Sequence, residues 1–130
     1  MNRVKLRASP HAIEDRIRRR LAKRYNTLLE KRKLEINGVL AEFDFVSQDE
    51  QIVGQIKSSR PRRGGKHKGE VRRQTQFGDF SRDCLVLAAM KEAKTRLFVL
   101  TDRTEFEEFS KSPQYQAAKI LGVETKLEPI

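Results

Sequence analysis

At 130 residues with 37% hydrophobic content, the chain has room for one domain with a buried core, and a single domain spanning 1–130 is expected. Its 28 Lys and Arg against 18 Asp and Glu give a formal charge of +10, the imbalance of a protein that meets phosphate backbones; no stretch approaches the roughly 18–20 apolar residues of a membrane span, so no membrane partner is expected. One cysteine and two histidines exclude a disulfide framework or a Cys/His zinc site within one chain, and any metal must be held mainly by oxygen. The opening MNRVKLRASP is basic without an apolar core or a small-residue cleavage site, which favours the cytosol or nucleoid over secretion.

Ser9-Pro10 starts a helix, a capping hydroxyl followed by a proline where its missing N–H is harmless. Ile13, Ile17, Leu21, Tyr25 and Leu28 recur at steps of four or three and predict one apolar face on a helix running to about Lys33. Glu14 projects within that stripe, whereas Glu30 falls on the opposite side. Next, LEINGVLAEFDFVS carries Asn37-Gly38, a two-residue hairpin signal between strands. QIVGQIKSS makes a third strand after a turn in SQDEQ. Either plausible loop length sets Asp44 opposite Gln55 and Glu42 opposite Lys57, on one side with Val46 and Val53, while Phe43, Phe45 and Ile56 face the other way.

Residues 60 to 73, RPRRGGKHKGEVRR, hold seven Lys or Arg and three Gly, a composition for a mobile basic loop centred on 60–70. Arg60, Arg62, Arg63, Lys66, Lys68, Arg72 and Arg73 are the candidate phosphate contacts, the glycines letting the loop follow a nucleic-acid groove. A second long helix, about Val71 to Lys94, places Phe77, Phe80, Cys84, Leu87 and Ala88 on its inner face, and Cys84 reads as a small core residue. RLFVLTD is a fourth strand, TEFEEF and QYQAAKILG are short helices, and VETKLEPI is a last strand. The order is α-β-β-β-α-β-α-β.

Polar Asp44, Gln55 and Lys57 stand inside runs that otherwise read as buried strand, and burying such groups is costly unless they are paired or ligated. Asp44, the amide oxygen of Gln55, and Glu14 or Glu42 offer the hard oxygens that Mg²⁺ or Mn²⁺ prefers. Lys57, two residues after Gln55 and on the same face, can donate to an attacking water or a scissile phosphate. Together they supply the requirements of metal-assisted phosphodiester hydrolysis. The plainer alternative is a cross-strand network on a solvated face, with Glu42 paired to Lys57 and Asp44 to Gln55.

An acid on a first helix, an Asp on the second strand and an acid-x-Lys on the third, in an α-β-β-β-α-β core, resembles the PD-(D/E)xK superfamily, the restriction-endonuclease-like nucleases that include archaeal Holliday-junction resolvases. The matching residues are Glu14, Asp44 in EFDFV, and Gln55-Ile56-Lys57 in VGQIKSS, and the element order covers nearly the whole chain. The resemblance implies an α/β fold with a central mixed sheet flanked by helices. It also implies a metal-dependent DNA endonuclease in which Asp44, Gln55 and Glu14 hold Mg²⁺ or Mn²⁺ and Lys57 positions water. No Pro precedes Asp44, and Gln55 stands where the family has an acid, as it does in variants of some homing endonucleases and virus-type repair nucleases; the metal shell is one charge poorer. DNA is the expected partner, and a two-fold dimer is the simple route to cutting both strands. The rival is a non-catalytic nucleic-acid-binding protein on the same fold.

Overall fold

The computed structural model describes residues 9–58 and 69–130, with side chains for all of these except Pro10 and residues 69–75. Helix α1 (Pro10–Tyr25) begins as expected: the Ser9 hydroxyl accepts the Ala12 N–H at 3.1 Å, satisfying an otherwise orphaned donor of the first turn. It ends well before Lys33. Asn26 adopts the left-handed conformation (φ 54°) and returns its N–H to the carbonyls of Ala22 and Lys23, a stop that asparagine makes with little strain. Leu28 is therefore exposed and off the helix, and Leu29 opens strand β1 (Leu29–Ile36).

Strand β1 turns into β2 (Val39–Ser47) through Asn37 and Gly38, both with positive φ (48° and 83°), the backbone that a type I′ hairpin requires. Strand β2 reaches β3 (Ile52–Lys57) through residues 48–51, where the Asp49 carboxylate accepts the Ser47 hydroxyl and the Gln51 N–H. Helix α2 (Gly69–Ala89) precedes β4 (Thr95–Leu100), and α3 (Arg103–Phe109) and α4 (Pro113–Ile120) lead to β5 (Glu124–Leu127). The protein is thus α/β: the described residues form a five-stranded mixed sheet in the order β1-β2-β3-β4-β5, antiparallel across β1-β2-β3 and parallel across β3-β4-β5, with four helices. Among the described residues no helix is long and apolar enough to cross a membrane.

Each face of the sheet carries its own core. Ile13, Ile17 and Leu21 of α1 pack on Leu29, Phe45, Ile56, Leu97 and Val99. On the other face Phe80, Cys84 and Leu87 of α2, Phe109 of α3 and Ala118 of α4 pack on Leu34, Phe43, Val46, Val53, Phe98 and Leu100. Burial pushes the Cys84 thiol up to about 12, so it behaves as the small core residue its apolar run implies. Residues 97–100 of β4 alternate between the two cores, which is why LFVL reads as an unbroken apolar run: a central strand is covered on both faces.

Two expected orientations are corrected, that of Phe43 and that of Asp44, whose charge meets Glu14 of α1 instead of lying on the side of Val46 and Val53. Phe43 shares a core with Val46, not with Phe45. Glu30 pairs with Val46 and Arg32 with Phe43, so Lys31 alone opposes both Asp44 and Phe45. That two-against-one count is a β-bulge, and it returns Phe43 to the face from which strict alternation excludes it. Beside it the Phe45 ring lies over Gly54; a Cβ on Gly54 would meet Phe45 Cζ at 1.9 Å. Only glycine lets the ring cross β3 there.

Candidate active site

The bulge sets the geometry around Asp44. Strands β2 and β3 pair through Val46↔Val53 and Phe45↔Gly54, the register the sequence predicts, and then side chains replace the ladder. The Ile56 N–H donates to Asp44 Oδ2 at 2.7 Å, and Gln55 Nε2 donates to the Glu42 carbonyl at 2.9 Å. Strand β3 meanwhile stays in parallel register with β4 as far as Lys57↔Leu100. The two strands therefore part at Asp44, and the opening is lined by polar groups whose positions the sheet fixes.

Glu14 approaches from α1, as its place beside Ile13 and Ile17 predicts. Both carboxylates are half-buried. Burial and then the Asp44 charge raise the pKa of Glu14, against the opposing charges of Lys31, Arg18 and His11. Burial also raises Asp44; the Ile56 N–H and the charges of Lys31, Lys57 and Arg18 pull it down, but burial prevails. Two carboxylates are thus held where ionisation is disfavoured, the condition that a bound cation relieves.

Lys57 does not pair with Glu42, its expected cross-strand partner. Its Nζ lies 2.9 Å from Asp83 Oδ2 on α2, because β3 side chains of this parity face α2 and the ladder to β2 has already ended. Glu42 is exposed, and its contribution is the carbonyl that takes the Gln55 amide. Gln55 has the parity of Val53 and Lys57, so its side chain leaves β3 on the α2 side, whereas Glu14 comes from α1. Glu14, rather than Glu42, is the acid that accompanies Asp44.

Three residues here were not picked out from the sequence. Arg18 donates from Nε to the Asp44 carbonyl at 2.9 Å and pairs with Asp15; its spacing of four from Glu14, on the same helical face, was the available signal. Lys31 opposes the bulge, and Asp83 holds Lys57; neither has a local sequence signature, since both depend on where a strand bends and where a helix packs. Arg60, Arg62, Arg63, Lys66 and Lys68 lie outside the described residues, as does His67, and Arg72 and Arg73 fall in the part of α2 where only the backbone is described.

The donors suit a hard divalent cation in kind: two carboxylates and an amide oxygen, with no sulfur or imidazole among them. Among the described residues no three His, Cys, Asp or Glu side chains gather into a cage, so water or substrate oxygen would have to complete any shell. No family model matches the chain, and neither a curated protein nor a solved structure does.

Proposed function

We propose that this protein is a metal-dependent DNA endonuclease on a restriction-endonuclease-like α-β-β-β-α-β core. The observation that carries the reading is the opening between β2 and β3, where half-buried Asp44 and Glu14 both resist ionisation while Lys57 projects from the neighbouring strand. Asp44, Glu14 and the Gln55 amide oxygen would hold Mg²⁺ or Mn²⁺, which when bound would polarise the phosphate and make water a stronger nucleophile. The chain's own residues do the rest. The Ile56 N–H and the Arg18 guanidinium hold Asp44 by its carboxylate and its carbonyl, Lys57 offers a cation to the phosphate, and the charge of Lys31 on β1 acts on both carboxylates. The +10 charge supports a polyanionic substrate, DNA in the cytosol or nucleoid, and a two-fold dimer would let one site address each strand.

Supercoiled plasmid and four-way-junction DNA, incubated with Mg²⁺ or Mn²⁺, test the reading. The parent is expected to nick or cut, Asp44→Asn and Lys57→Ala to lose cleavage, and Gln55→Glu to retain or raise it by restoring a charge to the shell. Salt-sensitive DNA binding with no metal-dependent cleavage by the parent would overturn the nuclease reading in favour of a binding protein. That rival draws on the same charge and on the neutral Gln55.

A further inference from the structure

Resting on the nuclease reading, we infer that Asp83 of α2 is a positioning residue that holds the Lys57 ammonium at the opening between β2 and β3. A lysine side chain has four rotatable bonds and a compact charge, so by itself it samples many positions. Here both of its ends are fixed. At the backbone, the Thr101 N–H donates to the Lys57 carbonyl at 3.2 Å, the Thr101 hydroxyl reaches it at 3.4 Å, and Lys57 stays in register with Leu100 on β4. At the tip, Asp83 Oδ2 lies 2.9 Å from Nζ.

Asp83 is itself well placed to act as an anchor. It precedes Cys84, and Phe80, Cys84 and Leu87 are buried in the core beneath α2, so its backbone moves only if that core moves. The side chains of Lys57 and Asp83 are 37% and 24% exposed, so the carboxylate is the more sheltered partner and the pair is only partly screened. Strand β2, which carries the exposed Glu42, has parted from β3 by this point. Helix α2 thus supplies the carboxylate that strand pairing was expected to supply.

Two readouts test this separately from the nuclease reading. The first needs no cleavage: acylation of Lys57 by an N-hydroxysuccinimide ester, followed by peptide mass spectrometry against exposed Lys33. Asp83→Asn is expected to speed Lys57 labelling about two- to fivefold, the factor matching the upper part of the range for exposed ion pairs, and Asp83→Glu to leave it near the parent rate. The second is steady-state cleavage, in which Asp83→Asn should lower kcat about tenfold with KM within about twofold, Asp83→Glu should restore most of it, and Asp83→Asn should cost nothing further in a Lys57→Ala background. Unchanged labelling would overturn the pair. Faster labelling with unchanged kcat, or an equal loss in the Lys57→Ala background, would overturn the positioning role. If the parent does not cut at all, the nuclease reading falls and this role falls with it, while the labelling contrast still reports whether the pair exists.

Discussion

Helix α1 presents two carboxylate centres along its length, and they are treated in opposite ways. Near its start, Glu14 and Asp44 are half-buried and raised in pKa. In its second half, Arg20 and Arg24 reach Glu128, a buried carboxylate at the other end of the chain. Burial pulls the pKa of Glu128 upward too, but the hydrogen bonds and charges of Arg24 and Arg20 outweigh it, and the net shift is downward. The protein neutralises Glu128 with its own guanidiniums; it leaves Asp44 and Glu14 under-compensated, although Lys31, Lys57 and Arg18 stand nearby. A carboxylate satisfied from within holds the chain together, whereas one left wanting a cation is equipped for a ligand.

Neutralising each centre should break this contrast most sharply. Asp44→Asn keeps an acceptor for the Ile56 N–H and is expected to reduce cleavage by about 10²–10³-fold, the scale of losing one stabilising group. It should also raise Tm and abolish any Mg²⁺-induced rise in Tm, both read by thermal unfolding; a drop in Tm would show that Asp44 is structural. Gly54→Ala should come next. It drives a methyl into the Phe45 ring and shifts the bulge, costing about 1–3 kcal/mol while leaving the Glu128 clamp intact, as denaturant unfolding and the Arg24 side-chain NMR signal would report.

Glu128→Gln should lower stability without touching cleavage. The Arg20 and Arg24 side chains are 34% and 44% exposed, so water takes over part of their solvation, and the expected cost is about 1–2 kcal/mol. The smallest effect is the dependence of these changes on pH. Glu128 is depressed, so its contribution is complete above the ordinary glutamate value and is lost as pH falls through the lower folded value. Asp44 is raised, so its penalty is complete above the raised folded value and disappears as pH falls toward the ordinary aspartate value. On acidification the Tm gain of Asp44→Asn should therefore shrink as pH falls through the raised Asp44 value, and the Tm deficit of Glu128→Gln should shrink as pH falls below the ordinary glutamate value; a gain or a deficit that does not change with pH would mean that the charge of that carboxylate is not its cause.

Much of this was legible in the residues themselves. Ser9-Pro10 marked a helix start and Asn37-Gly38 a hairpin, because capping and left-handed turns are local chemistry. The β2–β3 register followed from the turn, and Glu14 followed from the helical stripe. The end of α1 was missed because Leu28 happens to continue the three-and-four spacing, whereas Asn26 supplies a stop that periodicity does not register. The face of Phe43 was missed because a bulge is a compromise between three strands, visible only once Glu30 and Arg32 have chosen partners. Strand register set Lys57 opposite Glu42, the ion pair of the plainer alternative, but its contact comes from a helix, and which residue of α2 lies over Lys57 is decided by how Phe80, Cys84 and Leu87 seat in the core.

Among the described residues the outermost strands of the sheet are β1 and β5. Strand β5 is only four residues long, and β1, at eight, carries five charged side chains in LEKRKLEI. An incoming strand from another molecule would have to desolvate Lys31, Lys33 and Glu35 before its backbone could pair along that border, while the opposite border offers too few rungs to hold it. Aggregation by sheet extension is thus opposed by charge at one margin and by brevity at the other, and association between copies is steered away from edge-to-edge stacking.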